Sequence, residues 1–370
     1  MKFIVNKQNF LKALSSIEGI ISSREIRSPI GNVLIESKKD GIDLTSTDLE
    51  MTLKTSTDAN ILEPGKILLP ARKLSQTIRE FRYENIEFHV EDVKVRIHDA
   101  DSKGKTEIEI MGSPADEFQV KLNQDNLKFV SLPPTLVSEM IDRTSYAVAE
   151  EDSRFAFNGL YIEDRDGSLN AVGTDGRRLS FATRKPGEII STEGGIIVPV
   201  KAVRELRKLL SASDVFAMAV EKSENTVHFR LKDVIFITRL IDSNYPDYTQ
   251  VIPKKAEYAI LLNREDFRLA IKQASVLAAE PSRQIQLSFI KGEVRVIAST
   301  PDVGRVEDTV PCNYEGEPLT IAFNSNFLSD VLGVIKSEQV EMHLSSSSAP
   351  AVMMDMEDRD FKAVIMPMRL

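Results

Sequence analysis

The chain carries a single cysteine, Cys312, and no tryptophan. One cysteine cannot close a disulfide within the chain and cannot build a multi-cysteine metal site. That usage suits a reducing compartment, and no catalytic signature surrounds Cys312, which reads as a small packing residue. Histidine is also scarce. His89, His98, His228 and His343 fall on separate predicted strands with no pair at metal-ligand spacing, so neither a metal nor a cofactor is expected. There is no glycine-rich phosphate loop: Gly173-Thr174-Asp175-Gly176 lacks both the lysine and the spacing. No apolar run approaches the roughly 20 residues a membrane helix needs. The five residues before the first polar turn of MKFIVNKQNF are too few for a secretory signal. A cytoplasmic protein without membrane contact is expected. No carboxylate pair stands out among the 56 acids, and an enzyme is not expected.

Excess positive charge is missing too. Lys and Arg total 47 against 56 acids, a net charge of −9, which on its face speaks against nucleic acid. What the chain does have is length and apolar material. Its 370 residues are too many for one core, and 42% of them are apolar.

That material is periodic. Phe157–Ala182 reads as an alternating run, an Asp166-Gly167 turn, a second run, and a polar knot at Thr174-Asp175-Gly176-Arg177-Arg178. Asp-Gly between alternating runs signals a hairpin whose two central residues take positive φ. The device recurs at Val33–Leu53, with Asp40-Gly41 and then Thr47-Asp48, and more weakly at Ile285–Val306, with Lys291-Gly292 and Thr300-Pro301-Asp302. Gly41, Gly167 and Gly292 lie 126 and 125 residues apart.

Before each hairpin comes a strand and a helical stripe: Lys2–Val5 with Phe10, Leu14, Ile17 and Ile21; Lys128–Leu132 with Leu136, Val137, Met140 and Ile141; Tyr258–Leu262 with Phe267, Ile271, Ala274 and Leu277. After each hairpin a second strand-helix pair follows, at 66–81, 195–210 and 319–335, and then a meander of strands. The expected fold is therefore α+β: three repeated domains at 1–127, 128–256 and 257–370, each of antiparallel sheets with two helices on one face.

The charge is segregated within this pattern. At 100° per residue Lys201, Arg204 and Lys208 stand opposite Val203, Leu206 and Leu210. The corresponding helix of the first repeat carries Arg72, Lys73, Arg79 and Arg82, and the first helix of the third carries Arg264, Arg268 and Lys272. On one helix alone a basic face is ordinary solvated surface. Recurrence in an acidic chain points instead to a surface that attracts phosphates without reading bases.

Asn158-Gly159, Thr174–Leu179, Tyr245-Pro246-Asp247-Tyr248 and Met366-Pro367-Met368-Arg369-Leu370, with Gly31-Asn32, Thr47–Met51 and Pro70–Lys73, resemble the bacterial DNA polymerase III beta subunit from end to end. The resemblance implies a DNA clamp fold and a head-to-tail ring dimer around duplex DNA, bound without regard to sequence. It further implies a non-catalytic processivity factor that tethers the replicative polymerase, meets the clamp loader, and holds other proteins through a clamp-binding motif. Arg24, Arg72, Lys73, Lys201, Arg204, Lys208, Arg264 and Arg268 would face DNA. A partner-peptide groove would include Arg154, Phe157, Thr174, Gly176, Arg177, Arg178, Leu179, Pro246, Val251, Asn324, Phe327, Val364, Met366, Pro367, Met368, Arg369 and Leu370. The family's members often have an arginine where Gln250 stands and an aromatic where Ser282 stands. The dimer interface would join Lys103, Lys105, Ile108 and Ile110 of one chain to the region of Val276 and Leu277 of the other. The rival reading is a ring-shaped or scaffold protein that binds peptides without encircling DNA.

Overall fold

The computed structural model describes residues 1–21, 30–101, 106–120, 124, 127–188, 191–192 and 194–370. Arg24, Lys103 and Lys105 lie outside them. The first repeat contains β1 (Lys2–Asn6), α1 (Lys7–Ile17), β2 (Asn32–Lys38), β3 (Gly41–Thr47), β4 (Met51–Asp58), β5 (Asn60–Glu63), β6 (Lys66–Pro70), α2 (Ala71–Glu80), β7 (Asn85–Glu91), β8 (Lys94–Asp99) and β9 (Glu107–Met111). The second contains β10 (Val130–Ser131), α3 (Pro134–Thr144), β11 (Gly159–Arg165), β12 (Ser168–Thr174), β13 (Arg178–Arg184), β14 (Ile196–Pro199), α4 (Val200–Leu210), β15 (Phe216–Glu221), β16 (Thr226–Leu231) and β17 (Val234–Arg239). The third contains β18 (Tyr258–Asn263), α5 (Arg264–Val276), β19 (Gln284–Ile290), β20 (Glu293–Thr300), β21 (Gly304–Pro311), β22 (Leu319–Asn324), α6 (Ser325–Val334), β23 (Gln339–Leu344), β24 (Ala351–Asp355) and β25 (Phe361–Ile365).

At the starts of α1, α5 and α6 a strand runs straight into the helix, and asparagine makes the joint. The Asn6 side chain accepts from the amides of Gln8 and Asn9, Asn263 from those of Glu265 and Asp266, and Asn324 from that of Asn326. Each supplies an acceptor to amides that have no partner within the helix. The buried sides of the helices follow the predicted stripes, with Phe10, Leu14 and Ile17 on α1 and Phe267, Ile271 and Ala274 on α5.

Two compact units result: Met1–Thr135 with Arg204–Leu240, and Leu136–Val203 with Ile241–Leu370. The sheets explain why the division ignores the repeats. In the first unit an eight-stranded sheet runs β10-β15-β16-β17-β4-β3-β2-β6, in which β17 of the second repeat pairs antiparallel with β4 of the first. In the second unit another runs β14-β11-β12-β13-β25-β24-β23-β18, joined where β13 meets β25. The first unit also has a five-stranded sheet, β5-β1-β7-β8-β9, and the second a four-stranded one, β21-β20-β19-β22. Phe3 stacks on Phe88 at 4.7 Å in the core of the first unit, with Phe10 edge-on at 5.3 Å. Phe267, Phe289 and Phe323 are fully buried in the second.

The hairpin turns differ from expectation in one copy. At Asp166-Gly167 both central residues have positive φ, 53° and 74°, as the sequence predicts. In the first repeat the turn residues are Lys39 and Asp40, because Lys38 already pairs with Gly41. Gly41 belongs to the strand. A β-carbon there would lie 2.5 Å from the Thr57 carbonyl oxygen, so close backbone approach, not turn conformation, demands the glycine. The second repeat's opening strand is only Val130–Ser131, shorter than the expected 128–132.

Candidate functional site

A cleft of about 290 Å³ opens in the second unit. It is lined by Arg154 and Phe157, by Thr174 and Gly176–Leu179 of the following turn, by Tyr245–Tyr248 and Val251, and by Val364 and Met366. The turn is built by its own side chains. Thr174 Oγ1 donates to the Arg178 carbonyl at 2.6 Å and accepts from the Gly176 amide at 3.0 Å, while Asp175 Oδ1 accepts from the amides of Arg177 and Arg178. Thr47 and Asp48 do the same for Leu49, Glu50 and Met51 in the first repeat, so the repeated Thr-Asp is a turn device before it is anything else. Gly176 has φ of 81°, and a β-carbon there would come within 2.6 Å of the Arg154 guanidinium.

Beneath the cleft lies a cluster of Phe157, Tyr161, Val172, Leu179, Tyr248, Val352, Met354 and Val364. Its aromatic rings are interlocked. Tyr161 stacks on Tyr245 at 4.4 Å, Phe157 meets Tyr245 edge-on at 6.2 Å, and Phe181 stacks on Tyr248 at 5.6 Å. Glu163 ties the phenols together, accepting from Tyr248 at 2.5 Å, Tyr161 at 3.1 Å and Asn170 at 3.2 Å. Burial, then the neighbouring Glu163 carboxylate, pushes Tyr161 up to about 12, and burial likewise raises Tyr245 and Tyr248. These phenols stay protonated and serve as fixed donors. Sequence reasoning missed Tyr245, Asp247 and Tyr248 as lining residues and the Glu163 hub altogether. The alternation of β11, which puts Tyr161 and Glu163 on one face, was the available signal.

Two of the arginines expected in the groove, Arg154 and Arg178, are engaged. Arg154 pairs with Asp152 at 2.8 Å and stacks over Phe157 at 4.3 Å; its hydrogen bonds hold Asp152 at about 2. Arg178 bonds to Asp175, Asp330 and the Tyr146 carbonyl, and lies 4.5 Å over the Phe327 ring. It therefore braces the cleft wall against α6. Asn324 and Phe327 sit at the start of that helix and outside the cleft lining, Asn324 capping it and bonding to the Ser282 carbonyl at 3.1 Å. Ser282 donates to Ala279 and stands apart from the cleft.

The C-terminal segment is pinned rather than frayed. The Met366 amide donates to the Arg177 carbonyl at 3.0 Å and the Met368 amide to Ala322 at 2.7 Å, so the tail continues one sheet and bridges to the other. Met366 lines the cleft, and Arg369 and Leu370 are exposed beyond it. The cleft offers apolar surface and a few polar atoms, a shape suited to apolar side chains of a short peptide.

The basic helix residues divide into two sets. Arg72 and Lys73 are exposed on α2, and Lys201, Arg204 and Lys208 are exposed on α4 opposite buried Val203, Leu206 and Leu210. Lys208 also pairs with buried Glu205 at 2.9 Å. Arg268 is held by both oxygens of Glu265, and half-buried Arg264 donates to the Ile335 carbonyl at 3.2 Å. One guanidinium nitrogen of Arg264 is thereby tied to the end of α6.

Sheet edges carry the remaining candidates. Among the described residues β9 pairs only with β8, and its Ile108 and Ile110 are half-buried while Met111 is exposed. Among the described residues, likewise, β21 pairs only with β20. Val276, 79% exposed, and Leu277 end α5 beside that edge; Thr300 bonds to the Leu277 carbonyl at 2.7 Å. Among the described residues no cluster of His, Cys, Asp or Glu is placed to hold a metal, and no helix is long and apolar enough to cross a membrane.

Three strand-helix-hairpin repeats merged through shared sheets, with an apolar cleft beside the C-terminus, are the architecture of the DNA clamps. Profiles of the DNA polymerase III beta subunit match its N-terminal domain to residues 1–122, its central domain to 131–247 and its C-terminal domain to 249–369. The beta sliding clamp of Pseudomonas aeruginosa is 31% identical over 373 residues, covering all of both chains. A sliding clamp structure from that organism, bound to griselimycin, superposes with a TM-score of 0.93 at 30% identity, and the polymerase III beta chain of Caulobacter crescentus with 0.93 at 28%, each covering both chains fully. The chain belongs to the DNA polymerase III beta subunit family, the beta sliding clamps.

Proposed function

We propose that this protein is the sliding clamp of a replicative polymerase in the cytoplasm: a head-to-tail homodimer around duplex DNA that performs no chemistry. It tethers the polymerase, the clamp loader and other partners by peptides held in the cleft. Its three domains are 1–127, 128–256 and 257–370. The observation that carries this reading is the match of all three beta-subunit domains, in order, along the whole chain.

Closure of the ring falls to the edges at β9 and β21. An unprotected edge strand invites pairing, and two heterologous contacts between β9 of one chain and β21 of the other leave neither of these edges open. Within their own sheets Glu109 pairs with Lys94 at 3.0 Å, Glu107 with Arg96 at 3.7 Å and Glu307 with Arg305, which offsets part of the negative charge the two edges bring together. Light scattering at micromolar concentration should give twice the chain mass, and Ile108→Asp with Ile110→Asp should reduce it to one. A monomer in the unmodified protein sinks the ring.

On DNA, Arg72, Lys73, Lys201, Arg204, Lys208 and Arg268 should contact phosphates only, so direct binding should be weak, indifferent to sequence and steeply reduced by salt. Retention is then topological. Clamp loaded onto circular DNA should survive gel filtration in high salt and be lost within one passage once the circle is cut. Equal retention on both forms would rule out encirclement and favour the peptide scaffold.

A further inference from the structure

One exposed carboxylate, Asp247, lines the cleft. Its hydrogen-bond partners are all neutral. Oδ1 accepts from the Thr249 amide at 3.1 Å and its hydroxyl at 2.6 Å, and Oδ2 accepts from Gln250 Nε2 at 3.0 Å. Those bonds hold the carboxyl below its ordinary range, with Arg165 the weakest influence upon it. The bonds fix the carboxylate in place without cancelling its charge. Of the arginines that line the cleft, Arg154 is matched by Asp152 and Arg178 by Asp175 and Asp330, and Arg177, exposed on the Thr174–Leu179 turn, is the remaining cation.

We infer that Asp247 is a specificity-determining residue of the cleft, selecting peptides with a basic side chain beside the apolar anchor. The inference rests on the reading of the cleft as a peptide site and adds to it the charge of the preferred partner. An ammonium or guanidinium beside Asp247 gains an ion pair without displacing a resident cation. An acidic side chain there meets an uncompensated like charge. The carboxylate is exposed, so the effect belongs to the modest range of surface ion pairs and is screened by salt.

The test uses the full-length protein and three fluorescein-labelled heptapeptides sharing a Leu-Phe anchor and differing at one flanking position, which holds Lys, Ala or Glu. Fluorescence polarisation should rank them Lys, Ala, Glu, with about two- to fivefold between the extremes, shrinking in 0.5 M salt. Asp247→Asn retains an oxygen to accept from Thr249 and should bring the ratio close to one. Gln250→Arg, which sets a cation against Asp247 and leaves that residue in place, should do the same independently. Equal affinities in the unmodified protein, or a ratio that persists in both variants, would overturn the inference. Failure of all three peptides to bind would instead strike the peptide reading of the cleft itself.

Discussion

Arg143→Ala should lower stability by about 3–5 kcal/mol, the usual cost of removing one partner from a buried ion pair. Arg143 lies on α3 and is 2% exposed; Asp355 closes β24 and is 0% exposed. The guanidinium approaches Asp355 at 2.8 Å and Asp358 at 3.4 Å and rests 4.7 Å over the Phe361 ring. Truncation leaves the Asp355 carboxylate buried with the amides of Lys336 and Glu357 as its remaining backbone donors. It also opens a gap against Phe361. Arg143→Met separates these effects, because it refills the gap and still strands the charge. Urea midpoints should fall in the order unmodified, Met, Ala. A loss below about 1 kcal/mol for Arg143→Ala would show that the pair only offsets its own desolvation.

Acid should report the same site. Burial raises the Asp355 carboxyl, but the Lys336 amide, Ser337, Arg143 and the Glu357 amide together outweigh it and hold it at about 2, below the 3.8 of an unperturbed aspartate. A carboxylate depressed in the folded state contributes stability above its unfolded value and loses it as pH falls through the folded one. Between about pH 4 and pH 2 the unmodified protein should therefore lose up to about 2 kcal/mol at this group. Asp355→Asn should be less stable at neutral pH and show a flatter slope across that window.

This lock ties the second repeat to the third, and nothing local in the sequence marks it. Arg143 reads as the last polar residue of an amphipathic helix, and Asp355 as the end of a strand. The same limit applies to the sheets. Alternation in Arg178–Arg184 and Phe361–Ile365 identifies two strands, but their pairing joins segments far apart in the chain, which periodicity cannot express. Local chemistry was legible where the cause was local. Asn6 and Asn263 cap the helices they precede, and Asp166-Gly167 makes the turn it signals. Gly41 misled because a glycine required for contact with Thr57 looks the same as one required for a turn. Of the cleft, the motif residues were visible through family resemblance. Glu163 was not, since a strand carboxylate reads as solvent-facing until three donors are found around it.

Removing Met366–Leu370 should weaken peptide binding by at least about 30-fold, roughly 2 kcal/mol, while leaving the dimer mass unchanged. The deleted segment supplies Met366 to the cleft and fixes it through the bonds to Arg177 and Ala322. Its loss opens one side and exposes the apolar surface of Val364 and Leu179 to water, so an apolar anchor buries less area and is held less firmly. Two backbone hydrogen bonds go as well, at about 0.5–1.5 kcal/mol each, so some stability should be lost without unfolding. The edges at β9 and β21 have no part in the tail, and light scattering should be indifferent to it. Met366→Ala keeps both backbone bonds and should cost less, about 1 kcal/mol for the methylenes and sulfur withdrawn from the wall. Calorimetry with a polymerase-tail peptide on all three proteins distinguishes a wall from a bystander. If the deletion leaves affinity intact, the peptide lies elsewhere. If Met366→Ala matches the full deletion, the side chain acts as the wall and the pinned backbone only presents it.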